Sequence, residues 1–239
     1  MKVNWNIIKA IVLLISIASL YAFSNYRNEQ KSITELDVQF TDGDNLYVTT
    51  SMVNKLLIQN FQGYKNMPKE KLVLNTMEKA IEANEMVKNA QIYFNVDGKL
   101  TTKIAQRNPI ARVEGGIIFY LDDEGKRMPL SINHSARVPI VTGNITDKSL
   151  EDVHLILNHV NGDDFLHKNI IGIRVKSKNK YQLKFRTENF NIDLGKAEDL
   201  EEKFNKLKAF YIKGAKDKSL GKYSNVSLEY SNQVVCTKK

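Results

Sequence analysis

The side chains that most often carry catalysis or bind metals are few and scattered in this sequence. Three consecutive acids, Asp122, Asp123 and Glu124, stand directly before a glycine, which is typical of a hairpin turn rather than of carboxylates that converge across a pocket. His154 and His159 are five residues apart and do not share one face of a helix. No phosphate-binding glycine loop, nucleophile elbow or zinc-protease motif occurs. The sequence therefore predicts no catalytic, cofactor or metal site.

The chemistry that the sequence does offer is backbone recognition by a strand near the C-terminus. Residues 225–236 are predicted to form one long strand, because apolar residues alternate through most of this stretch. If the strand lies at a sheet edge, its unpaired N–H and C=O groups can pair with a partner's strand; if it is interior, both sides are already used. The residues predicted to meet a partner are Leu228, Tyr230, Ser231, Gln233, Val234 and Val235.

Two groups of basic residues admit two interpretations. They can attract anionic lipid, an acidic partner or nucleic acid, or they can form solvated faces on which lysines discourage strands from aggregating. We favour the solvated face. The N-terminal apolar segment, described below, predicts a location outside the cytoplasm, which argues against binding to nucleic acid. The first group is Lys176, Lys178, Lys180, Lys184 and Arg186, and the second is Lys206, Lys208, Lys213, Lys216, Lys218 and Lys222.

The composition is that of a folded protein with one long apolar segment. The 239 residues carry a net charge of +8, and 42% of them are hydrophobic and 26% charged. These values exclude a disordered or collagen-like chain, and one apolar segment excludes a protein with several membrane spans. The single cysteine, Cys236, excludes an intrachain disulfide framework and a cysteine-based zinc site.

The apolar segment at residues 5–23 is predicted to be a membrane anchor. As a helix it would be about 28 Å long, which matches the thickness of bilayer hydrocarbon. Its uninterrupted part, residues 10–23, also fits a signal peptide with an imperfect cleavage site near Ser24, and a buried core helix is a third reading. We favour the uncleaved anchor. With an anchor or a signal peptide, the remainder lies outside the cytoplasm.

The next part of the chain is predicted to form a β-α-α-β-β module. A strand alternates over residues 35–40, two amphipathic helices follow, and a hairpin turns at Asp97 and Gly98. Pro109 ends this module, because proline cannot donate to a strand ladder.

The remainder is predicted to be rich in short strands. Two helices interrupt it, one beginning near Ser149 with Asp152 as its capping partner and one over residues 197–212. The predicted fold class is therefore α+β: one N-terminal transmembrane helix, the β-α-α-β-β module, then a β-rich domain with two helices and a C-terminal strand.

Several short segments, taken in order, resemble the FtsQ/DivIB family of bacterial cell-division proteins. The module resembles a POTRA domain, the polypeptide-transport-associated fold. The segments that carry the resemblance are residues 87–90 (VKNA), 98–100 (GKL), 106–111 (QRNPIA), 119–122 (FYLD), 137–143 (RVPIVTG) and 193–195 (DLG). At residues 227–230 the family often has D-[LM]-R-Y; Tyr230 fits, but Ser227 and Glu229 replace the acid and the arginine, so charge contacts there cannot simply be transferred.

The resemblance implies a non-enzymatic scaffold of the division machinery. An FtsB-type protein, itself paired with an FtsL-type protein, would add a strand to the terminal strand, and the complex would regulate septal peptidoglycan synthesis. The expected location is the inner (plasma) membrane at the division septum, crossed once, with the N-terminus cytoplasmic and the C-terminal domains periplasmic or extracytoplasmic. The alternative is a POTRA-bearing extracytoplasmic factor that binds translocated or outer-membrane polypeptides. The implied domains are residues 1–4 (cytoplasmic tail), 5–23 (anchor), 24–31 (stem), 32–108 (POTRA-like domain) and 109–239 (β-domain).

Overall fold

A computed structural model describes residues 5–29, 35–41, 45–60, 73–95 and 97–239. The predicted tail at residues 1–4 and the end of the predicted stem lie outside the described residues. The chain divides into two compact units, Met1–Gln106 and Arg107–Lys239. The α+β class predicted from the sequence is confirmed.

The N-terminal apolar segment forms one helix, α1 (Trp5–Glu29). Its stretch from Trp5 to Arg27 has a mean hydropathy of 2.2, and none of its most apolar window is buried within the chain. A core helix of a soluble protein would be mostly buried. The length and composition of α1 suit a membrane span, although a signal sequence meets the same criteria.

The rest of the first unit is a small α/β sandwich in the predicted order. Strand β1 runs parallel to β3, and β2 runs antiparallel to β3, so the sheet order is β1-β3-β2. Val53 and Leu57 from the first helix and Met77 and Ile81 from the second pack on the sheet as one core. The elements are β1 (Glu35–Phe40), α2 (Thr50–Asn60), α3 (Leu74–Glu82), β2 (Val87–Phe94) and β3 (Lys99–Gln106).

The outer edge of β2 is covered by two glutamates of α3. Glu78 Oε1 accepts a hydrogen bond from the backbone N–H of Ile92 at 2.7 Å, and Glu82 Oε1 accepts one from that of Ala90 at 3.0 Å. These two N–H groups would otherwise be free to pair with another strand, so the helix closes this edge of the sheet.

The second unit is one nine-stranded mixed sheet with three described helices. The strand order is β12-β11-β10-β9-β8-β7-β4-β5-β6, which places β12 at one edge. The strands are β4 (Pro109–Gly115), β5 (Ile117–Asp122), β6 (Arg127–Met128), β7 (Ile140–Gly143), β8 (Ile170–Lys176), β9 (Lys180–Phe185), β10 (Asn191–Gly195), β11 (Tyr223–Ser227) and β12 (Val235–Lys238). The helices are α4 (Asp147–Asn161), α5 (Asp164–Asn169) and α6 (Leu200–Lys216).

The helices share one core with one face of this sheet. Val153 and Leu157 of α4 and Leu207 of α6 pack with strand residues such as Leu183 and Ile192. Side chains alternate along a strand, so the residues between the core positions face the other side of the sheet. On the central strands these outward-facing residues are Thr142, Arg174, Gln182, Lys184, Asn191 and Asp193, and they are half-buried or exposed.

Two helix predictions for this unit need correction. Helix α4 begins at Asp147 with Thr146 as its N-cap, and Ser149 is the reciprocal partner in the capping box rather than the start. Asp152 instead accepts a hydrogen bond from the Tyr181 hydroxyl at 2.6 Å. The prediction of two helices omitted α5, whose N-cap Asp163 accepts hydrogen bonds from the N–H groups of Phe165 and Leu166.

The three consecutive acids form a structural turn. Asp122 is fully buried; one carboxylate oxygen is 2.6 Å from Arg107 Nη1, and the other accepts the N–H groups of Glu124 and Lys126. The carbonyl oxygen of Asp123 lies 3.0 Å from His154 Nε2. These contacts hold the β5–β6 hairpin together.

Candidate partner-binding edge

The predicted single strand over residues 225–236 is wrong: the C-terminus forms two antiparallel strands. Val226 pairs with Cys236 and Ser227 with Val235, so the chain reverses over residues 228–234. Asn232 has a left-handed backbone conformation (φ 59°), as a tight reversal requires. The consequence is that β12 (Val235–Lys238), not β11, is the outer strand of the sheet.

The backbone direction of β12 follows from its neighbours. The N–H of Leu228 donates to Asp193 O at 2.8 Å, so the alternate residue Ser227 faces β12, where it pairs with Val235. At the other end of β12, the N–H of Lys239 donates to Lys222 O at 3.0 Å. Alternation along the ladder then directs the N–H and C=O of Cys236 and the N–H of Lys238 away from β11.

The side chains of β12 differ on the two faces of the sheet. Val234 and Cys236 are partly buried against the core, whereas Val235 is 42% exposed on the opposite face. Burial raises the pKa of the Cys236 thiol, so it stays protonated and acts as a small apolar side chain. The strand therefore offers an open backbone edge with one exposed aliphatic side chain.

Contacts with β9 and α6 hold the turn before β12 in place. Glu229 Oε2 accepts a hydrogen bond from Lys180 Nζ at 2.7 Å, and Tyr230 O accepts one from Lys206 Nζ at 2.9 Å. Lys206 also lies 3.1 Å from Glu202, and its hydrogen bond and charge, with the N–H of Asn232, lower the pKa of that carboxyl.

Asp193 ties together the strands behind this edge. One carboxylate oxygen accepts Lys176 Nζ at 2.7 Å and Gln182 Nε2 at 2.9 Å, and the other accepts Asn225 Nδ2 at 2.7 Å. Burial alone would raise the pKa of this carboxyl, but the hydrogen bonds from Lys176, Asn225 and Gln182 outweigh burial and hold the pKa below its ordinary value. Four consecutive strands of the sheet, β8 to β11, are therefore joined through one side chain.

Gly195 allows the turn to lie against the sheet. Its φ is +74°, which L side chains rarely adopt, and a Cβ built there would lie 2.8 Å from Glu229 Cγ. A larger residue would clash with the side chain that bonds Lys180. The glycine thus sets how closely Glu229 can approach β10.

The residues predicted to contact a partner lie in three different environments: the core, the turn and the edge strand. Leu228 is fully buried in the core and cannot contact a partner in this conformation. Tyr230, Ser231 and Gln233 are exposed in the turn. Val234 precedes β12 and is partly buried against the core, and Val235 begins the edge strand.

Three residues important to this region were missed from the sequence. Lys180 and Lys206 were interpreted only as parts of basic stretches, and Asp193 only as part of a family motif. Glu229 is distant in sequence from Lys180, and the Tyr230 carbonyl is distant from Lys206, so local patterning gave no signal for these two contacts. Within the described parts of the chain, no group of three or more His, Cys, Asp or Glu side chains could hold a metal ion.

Comparison with known proteins gives one family match. The family described as "FtsQ/DivIB, C-terminal related" matches residues 108–237, more than half of the chain. Among solved structures, the major extracytoplasmic domain of the trans isomer of the bacterial cell division protein DivIB from Geobacillus stearothermophilus is similar to part of the chain. It is 14% identical with a TM-score of 0.35, over 47% of this chain and 95% of that one. None of the curated proteins matches.

Proposed function

Because the chain belongs to the FtsQ/DivIB family of bacterial cell-division proteins, we propose that it is a non-enzymatic scaffold of the division machinery that binds its partner by strand addition to β12. The partner would be an FtsB/FtsL-type pair of single-pass division proteins, and the complex would regulate septal peptidoglycan synthesis. The observation that carries this proposal is the open edge of β12, where the N–H groups of Cys236 and Lys238 and the C=O of Cys236 point away from the sheet.

The contrast with β2 supports this choice of edge. The outward N–H groups of Ala90 and Ile92 are bound by glutamates of α3. Among the described residues, no side chain accepts from the outward N–H groups of β12. A strand added there would gain backbone hydrogen bonds and cross-strand contacts with Val235, each such contact worth roughly 0.2–1 kcal/mol.

A short added strand gives modest affinity, and the membrane compensates for this. We propose that α1 remains uncleaved and anchors the chain, so that the N-terminus is cytoplasmic, and the part of the first unit that follows α1 and the whole second unit are extracytoplasmic. Two partners anchored in one membrane have a raised effective concentration, which strengthens binding without new contacts. An intact N-terminus on the membrane-bound protein would support the anchor, and a mature chain beginning near Ser24 would exclude it.

The domain assignment follows the same proposal. Residues 32–108 would be a POTRA-like domain involved in recruitment, and residues 109–239 the β-domain that carries the partner-binding edge. The order β-α-α-β-β and the sheet order β1-β3-β2 support the first assignment.

A pair of substitutions at Cys236 tests the proposed edge. Cys236→Pro removes an N–H that points away from β11 and leaves the internal ladder intact, whereas Cys236→Ala keeps the N–H. We expect Cys236→Pro to lose partner binding and to fail in complementing a division defect, while Cys236→Ala behaves as the parent. Equal binding by both variants would contradict strand addition at β12.

Photocrosslinking in dividing cells identifies the partner. A probe at Gln233, exposed beside β12, is expected to capture a small single-pass coiled-coil protein; a control probe at Gln91, on the closed edge strand β2, is not. Adducts from Gln233 only to outer-membrane precursors would favour the alternative, a POTRA-bearing factor for client polypeptides.

A further inference from the structure

A second surface feature of the nine-stranded unit is a basic cleft far along the sheet from β12. It has a volume of about 370 Å³ and is lined by Arg137, His167, Lys168 and Arg186, with Pro139 and buried Ile170 as its apolar lining. No acidic residue lines it. We refer to these six residues as the basic cleft.

The cleft is built from three adjacent parts of the sheet. Arg137 lies shortly before β7, Lys168 just before β8, and Arg186 directly after β9. Because β8 is parallel to β7 and antiparallel to β9, these positions meet at one end of the sheet. The backbone is fixed there, since the N–H of Arg186 donates to Asn169 O at 2.8 Å and that of Arg112 to Pro139 O at 2.9 Å.

The charges of the cleft are largely uncompensated. Among the described residues, neither the Arg137 nor the Arg186 guanidinium has a hydrogen-bond or ion-pair partner. Lys168 Nζ lies 3.7 Å from Asp164, but both side chains are highly exposed, so this pair is weak. Three cationic side chains thus line one concave site, with His167 beside them.

Arginine pairs around a concave site favour a phosphate group. A guanidinium presents a planar fork of donors that binds phosphate oxygens in pairs, and phosphate carries enough charge and acceptors for several cations. A single carboxylate would neutralise only one of them. The volume falls at the lower end of the range for small-ligand sites.

We propose that the basic cleft binds the phosphate group of an extracytoplasmic ligand through Arg137 and Arg186, with Lys168 as a further charge. Sequence patterning had grouped Arg186 with the lysines of the preceding strand. The fold separates them, because Lys184 lines another cavity on the sheet, whereas Arg186 lines the basic cleft. The site does not depend on the β12 edge.

Calorimetric titration of the full chain in zwitterionic micelles tests the proposal, at about physiological ionic strength so that non-specific attraction is screened. The probes are inorganic pyrophosphate for a free phosphate and dihexanoyl-phosphatidylglycerol for a lipid headgroup, with dihexanoyl-phosphatidylcholine as the zwitterionic comparison. The variant is R137Q/R186Q. The matched control is R174Q/K184Q, which removes the same charge from another cavity of the same sheet.

We expect saturable binding of at least one phosphate probe, weakened about tenfold or more in R137Q/R186Q and within about twofold of the parent in R174Q/K184Q. The probe that binds identifies the source of the phosphate. Equal weakening in both variants, absence of saturable binding, or tighter binding of a glutamate-rich peptide than of either phosphate probe would overturn the proposal. Near-ultraviolet circular dichroism checks that both variants fold, which their exposed positions lead us to expect.

Discussion

Glu229 Oε2 accepts a hydrogen bond from Lys180 Nζ at 2.7 Å, so the turn before the last strand is tied to β9, which is not its neighbour in the sheet. The contact raises the pKa of Lys180 through that hydrogen bond and the charge of Glu229. The position of the outer strand therefore depends on a pair of charges as well as on its own ladder.

Reversing either charge of this pair should loosen the turn. Lys180→Glu and Glu229→Lys each place like charges together, and we expect faster hydrogen–deuterium exchange over residues 228–238 in both. The double variant restores opposite charges and should return exchange towards the parent rate. Lys184→Glu, on the same face of β9, is the control. Parent-like exchange in both single variants would show that the pair does not hold the turn.

Removing the charge of Asp193 should weaken the sheet behind the edge. Asp193→Asn replaces one acceptor oxygen by a donor that faces either Asn225 or both Lys176 and Gln182, so at least one partly buried hydrogen bond is lost and donors confront each other. We expect a loss of about 1–3 kcal/mol in the free energy of unfolding, measured by urea denaturation. Glu151→Gln, on the exposed side of α4, should change it little.

The contribution of the Asp193 carboxylate to the free energy of unfolding should depend on pH. Its pKa is lower in the folded chain than in the unfolded chain, where it is about 3.9, so its stabilising contribution is present above that value and is lost as the pH falls through the folded pKa. The difference in unfolding free energy between the parent and Asp193→Asn should be largest near neutral pH and shrink in acid. A constant difference down to about pH 2 would argue against this assignment.

Substitution of Gly195 by alanine should destabilise the protein, whereas the same substitution at Gly221 should not. Gly195→Ala combines an unfavourable backbone conformation with a contact of 2.8 Å to Glu229 Cγ. We expect a loss of at least about 1 kcal/mol in stability and faster exchange in the turn, because both penalties act together. Gly221→Ala is the control, since it has open space and no left-handed φ, and its thermal midpoint should match the parent.

Substitutions at Leu228 and at Val235 should have different effects, the first on the stability of the fold and the second on partner binding. Leu228 is fully buried, so Leu228→Ala is expected to cost about 2–5 kcal/mol of stability. Val235 is exposed at the edge, so Val235→Asp should leave the urea midpoint nearly unchanged while reducing capture of the crosslinked partner. Destabilisation by Val235→Asp as large as that of Leu228→Ala would place both residues in the core.

The sequence predicted the class, the apolar helix and the order of elements in the first unit, because periodicity and turn residues are local signals. It failed at residues 228–234. Alternation at Val226, Leu228 and Tyr230 continued the strand pattern past Ser231 and Asn232, and neither glycine nor proline marks the turn. Helix α5 was missed because its two apolar residues, Phe165 and Leu166, are adjacent in sequence and give no helical period.

The contacts of Asp193 could not be predicted at all. Lys176, Gln182 and Asn225 are brought to it by strand pairing in three different registers, and each is an ordinary polar strand residue in the sequence. The basic cleft has the same origin, since three cations from distant segments meet only when β7, β8 and β9 are aligned.

The two glutamates of α3 have a consequence for the crowding that the proposed location at the division septum would bring. Crowded copies with open β2 edges could pair with one another and precipitate. Glu78 and Glu82 occupy the N–H groups that such pairing needs, and they belong to a helix fixed by its own core. A neighbouring copy would have to displace two carboxylates before it formed its first hydrogen bond with β2. Pairing of β2 edges between copies is therefore disfavoured at high local concentration.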